Sequence, residues 1–167
     1  MEGETHLIDD ELRGAALVII LVIGILLVVQ PLYAGRTVEA FSELAILGPN
    51  QKIGDYPKDL LVGESFSLYL YVGNHEGQSR LYRVYAKLGD RTSTINENVS
   101  LAVEPLANYD IILSQNQTWL EPITLRINTT GTNLRLIFEL WMYRQDANDF
   151  RYYNRWNQLW LNVTRPG

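Results

Sequence analysis

Only two histidines occur in this chain, His6 and His75, and His75 stands between Asn74 and Glu76 with Gly73 and Gly77 close by. An imidazole beside a carboxylate is the smallest unit of acid–base or metal chemistry, but either use needs convergent partners. Asparagine and glycine at this spacing serve tight turns, because both accept positive φ. Residues 73–77 are therefore expected to form a hairpin loop. Asp146-Ala147-Asn148-Asp149 offers three oxygen-bearing side chains at close spacing. Calcium takes about six to eight oxygens, so a polar hairpin tip is the expected reading. Asp55 and Glu64 flank Tyr56-Pro57. Paired carboxylates can hydrolyse glycosides only across a cleft, and Asp55 beside a proline is expected to cap a turn. Cysteine is absent, which removes thiol catalysis and thiolate metal sites. No nucleophile–base pair, phosphate loop or metal cluster stands out. The expectation is a protein that is not an enzyme and carries no cofactor or metal.

Two other residue sets could act by contact or modification. Trp141, Tyr143, Phe150, Tyr152, Tyr153, Trp156 and Trp160 crowd the C-terminal third. Buried rings of this kind anchor interfaces, and exposed ones stack on sugars. Trp141 and Trp160 are assigned to the core. Phe150, Tyr152, Tyr153 and Trp156, expected in a long loop, are the candidates for a contact surface, with core cover as their alternative. Asn98, Asn116, Asn128 and Asn162 each begin an N-x-[ST] sequon, against about one or two expected by chance. They are candidate glycosylation sites and favour a domain outside the cytoplasm.

What positions these residues begins with an apolar run, Ala15–Val29, with no charged or hydrogen-bonding side chain. Extended to about 19 residues, such a helix spans close to 30 Å, the thickness of a hydrocarbon core. The leader, residues 1–13, carries five acids and one arginine, unlike the basic n-region of a cleaved signal. Asp9, Asp10 and Glu11 suit the first turn of the helix, and Pro31 is expected to end or kink it. Tyr33 is of the type that sits at headgroup level. A retained single-pass anchor over 14–33 is the expected form. The alternative is a pilin-like filament subunit, cut before the helix, although Ile19 stands where such subunits commonly place a glutamate.

Residues 34–40 read as a linker and 41–167 as one folded domain. From residue 36 onward there are 13 basic and 14 acidic side chains without a basic run, which argues against nucleic acid. Short alternating runs are punctuated by turns. In Ser65–Val72, Phe66, Leu68, Leu70 and Val72 face one way, and Leu81–Leu88 is its hairpin partner. Further strands are expected over 41–47, 95–103, 109–113, 119–127, 133–143 and 158–163, with 51–62 irregular. Seven or eight such strands predict an all-β antiparallel sandwich of immunoglobulin-like type behind a single transmembrane helix.

The motifs FSELAILGPN, GDYP, LVGES and VGNHEG follow in order from Phe41. They resemble the archaeal membrane-protein family called domain of unknown function 1616. The matching residues are Phe41, Ser42, Glu43, Leu47, Gly48, Pro49, Asp55, Tyr56, Pro57, Val62, Gly63, Glu64 and Asn74 to Gly77. Many members carry several membrane helices before this domain, whereas one precedes it here. The resemblance implies an archaeal envelope protein with its domain outside, and it supplies no activity. The expected partners are the lipid bilayer and other envelope proteins or glycans, with self-assembly open.

Overall fold

The computed structural model describes residues 3–34 and 39–167. The chain divides into two units, Met1–Glu39 and Ala40–Gly167. The linker expected over 34–40 lies mostly outside the described residues.

In the first unit, α1 covers Gly3–Ala34. Its stretch Leu12–Gln30 has a mean hydropathy of 2.9 and is long and apolar enough to cross a membrane. Residues 12–28 are all exposed, so the helix is apolar on every face and needs an apolar solvent rather than one packed seam. Two expectations shift. The helix begins at Gly3 rather than near Asp9, because the leader's Glu and Leu residues are themselves good helix formers. It also continues through Pro31 to Ala34, since the fixed φ of proline is a helical value and only one backbone hydrogen bond is lost. The side chain of Tyr33 lies outside the described ones.

The second unit is a two-layer β-sandwich. One layer, sheet A, has the order β1-β3-β6, with β1 at Phe41–Leu47, β3 at Ser65–His75 and β6 at Thr118–Arg126. The other, sheet B, has the order β2-β8-β7-β4-β5. Its strands are β2 (Asp59–Leu61), β4 (Arg80–Gly89), β5 (Pro105–Leu113), β7 (Gly131–Arg144) and β8 (Asp149–Thr164). The expected alternation holds. Phe66, Leu68, Leu70 and Val72 face Val84, Leu136, Phe138 and Leu140 in one core. Full burial of each such aliphatic side chain contributes roughly 1.5–3 kcal/mol.

The all-β, immunoglobulin-like class holds, and among the described residues every strand pair is antiparallel except β2 with β8, which run parallel; no hairpin joins them, so nothing enforces an antiparallel approach. Four narrower expectations are corrected. The short strand β2 lies inside the segment read as irregular. Residues 95–103 form no strand. Phe150–Trp156 lie within β8 rather than in a loop. Residues 73–75 belong to β3, and positive φ falls at Gly77, not at Asn74.

Asn74 is instead fully buried and joins the layers. Its Nδ2 donates to the carbonyls of Gln78, Leu113 and Ser114 at 2.8, 2.9 and 3.1 Å. Its Oδ1 accepts from the Tyr82 hydroxyl and the Glu76 amide, both at 3.0 Å. Ser42 Oγ lies 2.8 Å from the Tyr82 hydroxyl and donates to Glu76 Oε1 at 2.8 Å. The Tyr153 hydroxyl donates to the same carboxylate oxygen. Ser42 and Asn74 belong to sheet A, Tyr82 and Tyr153 to sheet B. Polar groups shut from water are tolerable only when paired in this way.

Burial, more than any neighbouring charge, pushes the Tyr82 phenol up to about 12. A pKa raised in the folded state stabilises the protein below the unfolded value, near 10, and that contribution is lost as pH rises through the folded one. Stability to urea is expected to hold up to about pH 10 and then fall towards pH 12. Tyr82→Phe should start lower, by about 1 kcal/mol for the lost hydrogen bonds, and fall less steeply. Tyr71 and Tyr152 are also raised to about 12, so part of the slope remains.

Candidate functional site: the outer face of the five-stranded sheet

Strict alternation sends every second residue of β7 away from the core: Arg135, Ile137, Glu139, Trp141 and Tyr143. Opposite them on β8, Tyr143 pairs with Phe150, Trp141 with Tyr152, Glu139 with Trp156 and Arg135 with Trp160. The register slips between Leu140 and Trp141, and Asn154 has φ of 60°. This bulge lets Tyr152 face outward and Tyr153 inward before the pattern resumes at Trp156.

The outward rings interlock with cations. Trp141 meets Tyr85 edge-on at 5.4 Å and Tyr152 at 5.9 Å, and Tyr143 meets Phe150 at 5.4 Å. The Arg83 guanidinium lies 4.1 Å from the Phe150 ring centre, and it grips both Asp110 oxygens at 2.6 Å. That pair, led by the hydrogen bond, holds the Asp110 carboxyl below the usual carboxylate range. Arg135 lies over Trp156 and Trp160 at 5.3 and 5.7 Å. Such contacts favour a fixed cation over each ring face.

Residues 90–104 cover part of this face. Glu139 holds them there: its Oε1 accepts the Leu101 amide at 2.6 Å, and its Oε2 accepts Lys87 Nζ at 2.9 Å and Trp141 Nε1 at 3.0 Å. Lys87 Nζ also donates to the Leu101 carbonyl at 2.7 Å. Ile95, Leu101 and Ile137 make a second small core with Trp156 against it. The Tyr152 hydroxyl donates to the Asn96 carbonyl at 3.1 Å, and Arg135 donates to that of Ser93 at 2.9 Å.

The four candidate rings thus fall in different places. Phe150 and Tyr152 are half-buried on the outer face, Trp156 supports the covering segment, and Tyr153 points inward against the main core. Trp141 and Trp160, expected in the core, are on the outer face instead. Trp160 is 44% exposed, because register, not side-chain type, decides the face. Lys87, Glu139 and Arg135 were not singled out from sequence. The one available signal is Glu139 itself, a carboxylate inside the apolar run LIFELWM.

The remaining candidates are spread elsewhere. His75 stacks on Phe41 at 4.6 Å and has Nδ1 3.2 Å from Asn116 Oδ1 and Nε2 3.5 Å from Glu43. Asn148 accepts the Tyr143 hydroxyl at 2.6 Å, and Asp149 accepts the Phe150 amide at 2.7 Å, so residues 145–148 form a hairpin tip and Asp149 opens β8. Glu64 accepts the Leu61 amide at 2.9 Å; Asp55, expected to cap a turn, is instead an exposed residue of an irregular stretch with φ of 53° and caps no amide among the described residues. Asn98, Asn116 and Asn128 are exposed. Asn162 is half-buried and donates through Nδ2 to Asp59 at 2.8 Å.

These features define an immunoglobulin-like β-sandwich carried behind an apolar helix, with one sheet face dressed in aromatic and cationic side chains. The chain belongs to the family described as domain of unknown function DUF1616, whose profile matches residues 36–162. No curated protein matches it. Among solved structures it is similar to the CARDB domain of a Pyrococcus furiosus protein in complex with di-metal ions. That match has 12% identity and a TM-score of 0.44, covering 75% of this chain and 89% of that one. A chain of the human seminal-plasma complex of zinc 2-glycoprotein with prolactin-inducible protein matches at 10% and 0.44, covering 78% and 98%. A human PapD-like domain matches at 12% and 0.41, covering 74% and 87%.

Removing one partner of a buried ion pair strands the other and costs about 3–5 kcal/mol. Lys87→Met is expected to lower unfolding free energy by roughly that amount in chemical denaturation. Adding Glu139→Gln should recover most of the loss, because a neutral amide still accepts the Leu101 N–H. A double variant as unstable as the single one would show that the charge is not what matters.

Proposed function

We propose that this protein is a single-pass, membrane-anchored contact module of the archaeal cell envelope. Its sandwich stands outside the cytoplasm and works within a larger surface or membrane assembly. The apolar helix, the sequons at exposed Asn98, Asn116 and Asn128, and the family resemblance support that placement. The observation that carries the contact role is the outer face of sheet B. There Trp160 is 44% exposed and Phe150 half-buried, each beside a guanidinium already fixed in place. Pre-ordered rings and arginines lose little freedom on binding and make efficient interface anchors. The partner that fits is a neighbouring envelope protein or glycan offering apolar faces and hydrogen-bond acceptors.

Protease added to intact cells stripped of any surface layer is expected to digest residues 41–167, and digestion only after lysis would reverse the orientation. For the contact role, the full chain is extracted in mild detergent with and without Phe150→Ser and Trp160→Ser. The double variant should recover roughly tenfold less of its co-purifying partner, since it removes two interface anchors, while its melting temperature shifts by only a few degrees. Unchanged recovery would remove this face from consideration.

A further inference from the structure

The inner face of sheet B changes character along the β7–β8 hairpin. Residues paired across antiparallel strands share a face, and Leu140 pairs with Arg155 and Met142 with Arg151. The inward positions of β8 therefore read Asp149, Arg151, Tyr153, Arg155, Asn157, Leu159, Leu161 and Val163. Towards its end the strand packs on the core. At the hairpin it presents arginines where a sandwich would place apolar side chains.

These arginines surround a cleft of about 650 Å³ lined by Arg144, Asp146, Arg151, Tyr153, Asn154 and Arg155 among others. Arg151 makes no side-chain hydrogen bond or ion pair among the described residues. Arg155 reaches only the neighbouring Asn154 carbonyl, at 3.5 Å. Arg144 is 3.9 Å from Asp146, whose side chain is 80% exposed. The lining thus carries three cations against one carboxylate, with Asp149 at the hairpin end. Arg80, whose Nη2 lies 3.7 Å from Glu76 and whose Nε is buried without an acceptor, lines the adjoining cleft with Arg144 and Asp146. Guanidinium forks lining one space match the oxygens of a phosphate.

We infer that this cleft takes the headgroup phosphate of an anionic membrane lipid, one whose charge no headgroup cation balances. Two facts favour a lipid over free phosphate. Only residues 35–40 separate α1 from β1 in the sequence. In addition, β1 starts at this end of the sandwich: Phe41 pairs with His75, and Ser42 shares the Glu76 carboxylate with Tyr153, which lines the cleft. An anionic bilayer surface attracts arginines held near it. The inference rests on the membrane-anchor reading.

The test uses the full chain in nanodiscs of zwitterionic lipid, alone or doped with an anionic phospholipid, and follows amide hydrogen exchange over residues 143–156. Exchange in the hairpin should slow in the anionic discs, and high salt should reverse the effect. Arg151→Gln with Arg155→Gln should weaken the response roughly tenfold, as expected for two charge-assisted contacts, and Asp146→Asn should strengthen it. These exposed side chains should leave the melting temperature unchanged. Protection by inorganic phosphate in zwitterionic discs without a further effect of anionic lipid would overturn the lipid source. A hairpin that exchanges identically in every disc overturns the inference and leaves the anchor reading standing. A chain that fails to remain in the discs overturns both.

Discussion

Glu139 is fully buried on the face of a sheet that points away from the main core, where a carboxylate survives only if its oxygens find donors. Lys87, the Leu101 amide and the Trp141 indole supply them. Through this one side chain the covering segment 90–104 is fastened down. Its Ile95 and Leu101 then bury Ile137, and its backbone carbonyls receive Tyr152 and Arg135. Without the pair, the outer face would lose both its cover and the fixed orientation of its rings. The outer face is thus a product of electrostatics, whereas the inner one is a product of apolar packing.

The two layers are unequal, three strands against five, and this decides where polar groups collect. Where sheet A faces sheet B, the inward positions are mainly Leu, Ile, Val and Phe. At one end the Asn74–Tyr82–Glu76–Tyr153 network closes the core. Beyond it the β7–β8 hairpin carries arginines inward. The exposed edge of β1 is occupied as well: Asn157 donates to the Leu44 carbonyl at 2.8 Å and Tyr56 to that of Ile46 at 2.7 Å. Edge groups satisfied in this way do not recruit a strand from another chain.

The apolar helix, the sandwich class and the β3 and β4 alternation were legible in the sequence, because each follows from a local period. What escaped reading depends on distant residues. The strand β8 hides behind a bulge at Asn154 that breaks the period of two, so its aromatics look like a loop. Residues 95–103 alternate well enough to resemble a strand, yet Glu139, some forty positions away, draws them across a sheet as cover. Asn74 looks like a turn former by type, and only the approach of Leu113 and Ser114 makes it a buried joint. Trp160 looks like core by size, and only its register against Arg135 turns it outward.

The pairing of β2 with β8 has a consequence for the order of assembly. β8 lies inside sheet B, between β2 and β7, yet it is the last of the strands to be synthesised. Until residues 149–164 leave the ribosome, β2 has no neighbour and β7 has one open side. The core positions of Leu159, Leu161 and Val163 are likewise empty. The sandwich therefore cannot close strand by strand as the chain grows; it must wait and then form across long sequence separations, which slows folding. In that interval the nascent chain exposes unpaired strand edges, and a tether that keeps neighbouring chains apart would suppress their association.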